Sequence, residues 1–169
     1  MSVNPYNRRP SLPSAGGRVA FLTLGAGTDQ LSTYEKGTWT PLIRGMTVAG
    51  SNTYTTQVGT YLRIGDLVFV QGYIVMSAKG GTMSGDIRIS NLPFAVQNVT
   101  NGYGAGSVGF YTSVDLGAGK SQLGILIFPG TTAALALYEN GDNTPGIPVV
   151  DAAISNSTAI GFSAVYRAA

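Results

Sequence analysis

The sequence predicts an all-β protein, and three observations lead to that prediction. Apolar and polar residues alternate over short segments such as Asp86–Ser90. Ile87 and Ile89 are expected on the core side of this segment, and Asp86, Arg88 and Ser90 on a side that faces water. The segments are separated by turn residues, and the chain has 24 glycines among 169 residues, well above the usual share of about 7%. No amphipathic helix longer than a turn or two and no heptad repeat is found. We therefore expect a β-sandwich or jelly-roll of about eight strands with an extended N-terminal arm.

The composition excludes several classes of function. Charged residues make up 11% of the chain, against a usual value of about 25%, which indicates that other subunits cover part of the surface. A net charge of +2 is too small to indicate nucleic-acid binding. The absence of cysteine and histidine excludes a Ser-His-Asp triad, a Cys-His pair and the usual zinc sites. No apolar run reaches the roughly 18 residues of a membrane span, so membrane insertion is not expected.

Residues 1–33 are predicted to form an extended arm, and residues 34–169 a single β domain. Three prolines in the first 14 residues fix φ and remove backbone donors, so neither a helix nor a central strand can form there. Three arginines occur in the first twenty residues without an acid among them. Two interpretations remain open, a solvated tail and a basic arm that docks onto an acidic partner. The candidate docking residues are Asn4, Pro5, Tyr6, Arg8, Arg9, Pro10, Leu12, Pro13 and Arg18.

A short strand is predicted at residues 18–24, and it can pair within its own domain or with a neighbour. The centre of the domain is predicted between Tyr34 and Phe94, a segment that holds the only tryptophan, Trp39. Pro41 limits the first strand of this segment to a sheet edge or a bulge. The strands predicted here are Thr38–Arg44, Tyr54–Arg63, Leu67–Ser77 and Asp86–Ser90.

The segment Ile64–Met76 is apolar at both its even and its odd positions. Because alternate side chains of a strand point to opposite faces, we expect a central strand that is covered on both sides. Gly65 and Asp66, which precede this strand, suit a tight hairpin turn. The predicted core anchors of the whole domain are Trp39, Phe69, Ile87, Phe94 and Phe162.

The rest of the chain is predicted to supply the remaining strands. Val108 and Phe110 are expected on one side of their strand. In the last strand, four residues are expected to point inward: Ile160, Phe162, Ala164 and Tyr166. The polar segment Glu139–Pro148 is predicted to be a loop, and Val149–Ile154 either a short strand or a helical turn. The strands predicted here are Ser107–Val114, Leu123–Phe128, Ala133–Tyr138 and Ser157–Arg167.

No catalytic, cofactor-binding or metal-binding residue is predicted. The sequence GAGKS at Gly117–Ser121 lacks the first glycine of a phosphate loop and is followed by a strand. Most carboxylates fall in turns, where such side chains usually bond nearby backbone amides. Tyr103, between two glycines, is the candidate for an exposed aromatic that contacts glycan. The carboxylates considered as candidates for the facing pair that a glycosidase needs are Glu35, Asp66, Asp86, Asp115, Glu139, Asp142 and Asp151.

Three segments in order resemble a domain of tailed-bacteriophage surface proteins, which usually lies near the C-terminus of tail fibres and related appendages. They are YEKGTWTP at Tyr34–Pro41, GTYLRIGDLVFVQGYI at Gly59–Ile74 and GDIRISNLPF at Gly85–Phe94. Lys36, where an acid is common, and Thr60 depart from the pattern. The resemblance implies a β-sandwich or jelly-roll on a phage particle, usually trimeric. It implies no set of catalytic residues.

The function expected from these observations is that of a non-enzymatic structural protein of a tailed-phage virion. The main hypothesis is a trimeric capsid-decoration or cement-type protein that docks through its N-terminal arm. The alternative is a receptor-binding tip domain of a tail fibre or spike that contacts host-surface glycan. A depolymerase has the fewest observations in its favour. The expected partners are two further copies, the major capsid protein or tail and fibre components, and host glycan, in a virion assembled in the host cytoplasm without a cofactor.

Overall fold

The computed structural model describes residues 34–130 and 134–169, and these form ten β-strands and one short 3-10 helix, Asp151–Ala153. The all-β prediction is therefore confirmed. The predicted arm, its candidate docking residues and the strand predicted at residues 18–24 lie outside the described residues. The strands are β1 Tyr34–Trp39, β2 Leu42–Gly45, β3 Thr53–Ile64, β4 Leu67–Ala78, β5 Ile87–Ser90, β6 Gly104–Val114, β7 Gln122–Ile127, β8 Ala134–Gly141, β9 Thr144–Pro148 and β10 Ile154–Arg167.

The ten strands belong to one antiparallel sheet with the order β1-β3-β4-β10-β6-β7-β8-β5-β2, and β9 pairs with β8. The two end strands, β1 and β2, are separated in sequence only by Thr40 and Pro41. Because consecutive Cα atoms are about 3.8 Å apart, the sheet has to curl until its two ends meet. A sandwich or jelly-roll of two separate sheets is therefore not confirmed.

Two predicted elements that contain proline differ from the structure. The single strand predicted at Thr38–Arg44 is two strands, since Pro41 has no N–H to continue the ladder. The loop predicted at Glu139–Pro148 contains β9, which follows a turn where Asn143 has a φ of 51°. Prolines are tolerated in β9 because it pairs with β8 alone.

Other local predictions agree with the structure. Ile64 pairs with Leu67 across the two-residue turn at Gly65 and Asp66, and Gly65 has the positive φ of 61° that such a turn needs. Of the two alternatives for Val149–Ile154, the structure has the helical turn.

The inner face of the curled sheet holds one hydrophobic core. The last strand, β10, lies between β4 and β6, and its four predicted inward residues are all at most 5% exposed. Among the predicted anchors, Trp39, Ile87 and Phe162 are buried, and Phe94 packs partly buried against the core. Phe69 is the exception, because its position in β4 directs it to the outer face, where it is 38% exposed.

The prediction that the strand from Leu67 is covered on both sides is wrong for the described residues. Its even positions are buried, but its odd positions face outward and join apolar residues of the neighbouring strands. We call this surface the exposed apolar face. It consists of Val58 on β3, Leu67, Phe69 and Tyr73 on β4, Phe110 on β6 and Val165 on β10, each between 38% and 56% exposed.

A β-bulge at Gly109 places Phe110 on that face. Phe162 pairs with Val108 and Gly161 pairs with Phe110, so Gly109 has no partner on β10. The extra residue reverses the alternation. Val108 consequently packs against the core, whereas Phe110 points outward and lies 6.2 Å from the ring of Tyr73. The predicted placement of Val108 and Phe110 on one side is therefore wrong.

Two aromatic rings lie over two glycines in a row of directly paired residues: Trp39, Gly59, Gly72 and Phe162. The two rings meet edge to face with their centroids 6.1 Å apart. A Cβ on Gly59 would lie 2.5 Å from Nε1 of Trp39, and a Cβ on Gly72 would lie 2.6 Å from Cζ of Phe162. We call this arrangement the ring-over-glycine row; its rings occupy the space that the glycines leave.

The three segments that resemble phage surface proteins pack against one another around Tyr61. Its ring covers Gly37, where a Cβ would come within 2.7 Å of it, and its hydroxyl donates a 2.6 Å hydrogen bond to Glu35. The ring also meets Phe94 edge to face at 5.3 Å, and the guanidinium of Arg63 lies 4.5 Å from the Phe94 centroid. Residues of the three segments thus pack into one cluster.

Replacing Tyr166 with phenylalanine tests the last contact of this cluster. The Tyr166 hydroxyl donates a 3.1 Å hydrogen bond to the carbonyl of Phe94, and burial raises the pKa of Tyr166 to about 12. Tyrosine in the unfolded chain ionises near pH 10. The raised pKa therefore contributes stability that is fully present below about pH 10 and is lost as the pH rises towards 12. Urea unfolding at a series of pH values is the measurement.

At neutral pH, Tyr166→Phe is expected to lower the free energy of unfolding by about 1 kcal/mol through the lost hydrogen bond. Between about pH 10 and 12, the wild type should lose more stability than the variant. The pKa of Tyr54 is also raised by burial, but that effect is common to both proteins. Equal slopes for the two proteins in this pH range would contradict the prediction.

Candidate functional site

Two neighbouring surface cavities share the side chain of Tyr103. The larger, which we call the arginine pocket, has a volume of about 520 Å³ and is lined by Arg44, Met46, Arg88, Tyr103, Phe128 and Pro129. The smaller, which we call the apolar pocket, has a volume of about 380 Å³, and its lining includes Val96, Val99, Tyr103, Val165 and Arg167. A side chain at this position can contact a ligand that extends over both cavities.

Tyr103 immediately precedes β6, and its side chain is 54% exposed. The pairing of Gly104 with Ile127 brings the start of β6 next to the end of β7. Phe128, the next residue after β7, therefore lies beside Tyr103, and the two rings meet edge to face at 5.5 Å. The exposed ring predicted from the sequence is thus supported by a second ring, which the sequence pattern did not indicate.

Arg88 is fixed within the arginine pocket. Its side chain is only 12% exposed, and its guanidinium lies 5.0 Å from the centroid of the Phe128 ring. Nη2 of Arg88 is 3.8 Å from Oδ2 of Asp86 and 3.2 Å from Sδ of Met46. The prediction that the polar side of Asp86–Ser90 is wet is wrong for Arg88 and for Ser90, which is 6% exposed, since neighbouring strands and the Phe128 ring cover them.

Arg44 carries a positive charge that no described residue compensates. It is the direct partner of Arg88 across the β2–β5 ladder, and like charges in such positions destabilise a sheet. The Arg44 side chain is exposed. Within residues 34–130 and 134–169 it makes no hydrogen bond or ion pair. Arg88 has Asp86 as a counter-ion, so the surplus charge of the pocket belongs to Arg44.

The candidate carboxylates are engaged in several separate contacts. Glu139 is 3% exposed and accepts a 2.8 Å hydrogen bond from the backbone N–H of Gly117. In the part of the chain that the structure describes, no three acidic residues are grouped so that they could hold a metal ion. No helix of that part is long and apolar enough to cross a membrane. Three carboxylates form ion pairs at 3.6–3.8 Å: Asp66 with Arg167, Asp86 with Arg88 and Asp151 with Lys79.

Comparisons with known proteins give one curated sequence relative and one protein of similar fold. No protein-family model matches the chain. The chain is 37% identical over 76 residues to a protein of Klebsiella phage K64-1 described as a capsule KN4-specific depolymerase; the match covers 44% of this chain and 10% of that protein. The fold is similar to the crystal structure of the Dettilon tailspike protein, with a TM-score of 0.64 and 13% identity, over 79% of this chain and 24% of that one. The chain thus spans a minor part of either relative.

These findings are consistent with a phage surface protein and a component of the virion. They do not support the main hypothesis of capsid decoration or cement, and they favour the alternative of a tail-fibre or tailspike-like protein. The prediction that the protein is not an enzyme is contradicted, because the curated relative is a depolymerase. The lack of histidine and cysteine excludes only some kinds of catalytic site.

Proposed function

We propose that this chain is a β domain of a tailspike-type protein on a tailed-phage virion and that it binds host-surface glycan at the arginine pocket. The observation that carries the proposal is the half-exposed ring of Tyr103, which Phe128 holds at the rim of a cavity of about 520 Å³. Ligand sites commonly have volumes between about 300 and 1,000 Å³. The cavity is therefore of a suitable size for a short saccharide.

The chemistry of the pocket suits a sugar. A tyrosine ring offers an apolar surface to the C–H groups of a sugar ring and a hydroxyl to its polar groups. The guanidinium groups of Arg44 and Arg88 supply further donors for sugar oxygens.

We infer that the assembled protein degrades the polysaccharide that it binds. The depolymerase of Klebsiella phage K64-1 supports this inference, since it shares 37% identity with the chain over 76 residues. The contribution that we assign to the described residues is capture of the glycan. No catalytic role is assigned to any of their carboxylates.

We also propose that the domain assembles as a homotrimer through the exposed apolar face and that residues 1–33 dock other tail components. Six large apolar side chains at least 38% exposed on one face of four strands form a patch of the kind that marks an interaction site. The low charged content of 11% agrees with a chain that buries surface in contacts with copies of itself.

Replacing Tyr103 with alanine tests glycan binding. The variant is expected to bind capsular polysaccharide about tenfold more weakly or worse, since truncating a central aromatic commonly costs this much. Binding of the full chain to a panel of purified bacterial capsular and O-antigen polysaccharides, followed by biolayer interferometry, is the measurement. Tyr34→Ala is the matched control, because Tyr34 is 55% exposed on β1 and lines neither cavity.

The control variant should bind like the wild type, and both variants should keep the wild-type melting temperature. The proposal fails if the wild type binds no polysaccharide of the panel. It also fails if Tyr103→Ala binds as tightly as Tyr34→Ala.

A further inference from the structure

We propose that the glycan bound at the arginine pocket is acidic and that the carboxylate of one of its sugar residues is held by Arg44. This inference rests on the proposed function and adds the chemical class of the ligand. The feature that leads to it is the pair of arginines that face each other on β2 and β5.

The facing pair of arginines, Arg44 and Arg88, destabilises the sheet. Side chains directly opposite each other in an antiparallel ladder have their Cβ atoms about 4.5–5.5 Å apart, where like charges repel. The chain contains only 10 lysines and arginines, so a facing pair is not a consequence of a generally basic surface. An anion bound between strands β2 and β5 would offset the repulsion.

The two arginines differ in exposure and in their contacts. Arg88 is held by the Phe128 ring, by Asp86 and by the Met46 sulfur, and little of it is exposed. It therefore adds fixed positive charge to the pocket. Arg44 is exposed and has no side-chain partner among the described residues. Its guanidinium is free to receive the two oxygens of a carboxylate, a geometry that it matches.

The anion belongs to a sugar because the same cavity also contains an exposed aromatic ring. Arg44 and Tyr103 line the same cavity, so one ligand can contact the guanidinium and the exposed ring together. A free anion would make no use of the ring, and a neutral sugar would leave the surplus charge of Arg44 uncompensated. A uronic acid has both an apolar ring face and a carboxylate, and it satisfies both side chains.

The apolar pocket provides the contrast. The arginine in its lining, Arg167, lies 3.6 Å from Asp66 and so already has a counter-ion. The remaining lining is mostly apolar. An acidic residue of the glycan is therefore assigned to the arginine pocket.

The inference is tested with three small probes: methyl β-D-glucuronoside, methyl β-D-glucoside and acetate. Dissociation constants for the full chain are measured by saturation-transfer NMR at low ionic strength. The wild type is expected to bind the glucuronoside about tenfold more tightly than the glucoside, as a charge-assisted hydrogen-bonded pair allows. Acetate should bind more weakly than the glucuronoside. The preference should shrink in higher salt, which screens an exposed charge.

Arg44→Gln should reduce the preference to near parity, because it weakens glucuronoside binding much more than glucoside binding, and Arg44→Lys should keep part of the preference. Lys36→Gln, which removes an exposed positive charge on β1 that lines neither cavity, is the control and should keep the full preference. Because Arg44 is exposed and faces a like charge, Arg44→Gln should not lower the melting temperature.

Equal binding of the two glycosides by the wild type would overturn the inference, as would a full preference in Arg44→Gln. Acetate binding as tight as glucuronoside binding would show a plain anion site and would also overturn it. If both glycosides bind equally and Tyr103→Ala loses both, the inference fails but the proposed function stands. If neither glycoside binds, the inference fails, and the polysaccharide panel decides the proposed function separately.

Discussion

Replacing Gly72 with alanine is expected to lower the free energy of unfolding by about 2 kcal/mol. A Cβ at this position would lie 2.6 Å from Cζ and 2.8 Å from Cε1 of Phe162. The ring cannot move away freely, since Phe162 is 5% exposed and meets Trp39 edge to face. Forcing an extra methyl group into a packed core costs about 1–3 kcal/mol. Urea unfolding, followed by the fluorescence of Trp39 at one fixed protein concentration, measures the loss.

The double variant Gly59→Ala with Gly72→Ala should lose more than either single variant, since both rings of the ring-over-glycine row are then displaced. Gly161→Ala is the matched control. It is also a strand glycine, but its added Cβ would lie 3.5 Å from Phe110 and 3.6 Å from Tyr73, which are ordinary contacts. This control should stay within about 0.5 kcal/mol of the wild type. A Gly72→Ala protein as stable as Gly161→Ala would show that the rings do not need the glycines.

Replacing Phe69 with aspartate is expected to convert a homotrimer into a monomer. Phe69 lies on the exposed apolar face, directly opposite Leu62 on one side and Val165 on the other. A carboxylate there would have to lose its water on association without gaining a partner, which is strongly unfavourable. Sedimentation velocity should give about three times the chain mass of 17.5 kDa for the wild type and the single-chain mass for the variant.

Ile147→Asp is the control for this experiment. Ile147 is also apolar and is 44% exposed, but it belongs to β9 and lies off the exposed apolar face. This variant should remain trimeric. A monomeric wild type, or a trimeric Phe69→Asp protein, would rule out the exposed apolar face as the subunit interface.

Local alternation was sufficient to predict most strands, and β10 is the clearest case. Its inward residues were assigned by period alone, because side chains of an uninterrupted strand alternate between faces. The same rule misplaced Phe110, since one unpaired residue at Gly109 reverses the alternation and leaves no mark in the hydrophobic pattern. It also could not show that the odd face of β4 is uncovered in a single chain. Whether an apolar side chain is buried depends on what packs against it. An apolar strand face has the same sequence pattern in a core and in a subunit interface.

One residue of the candidate site could be predicted from the sequence, and the others could not. Tyr103 could be identified because an aromatic residue between glycines in a loop is seldom buried. Arg44 and Arg88 are far apart in sequence and meet only because β2 pairs with β5. Phe128 looked like the last residue of a strand, and only its position beside Tyr103 indicates a part in binding.

The place of β10 in the sheet has a consequence for biosynthesis. Of the strands described, it is made last, yet it pairs with both β4 and β6 and so joins β1-β3-β4 to β6-β7-β8-β5-β2 within the sheet. Domains emerge from the ribosome with their N-terminal part first. Until β10 has been translated, β4 and β6 each present an open edge, and the nascent polypeptide depends on β10 to pair with both.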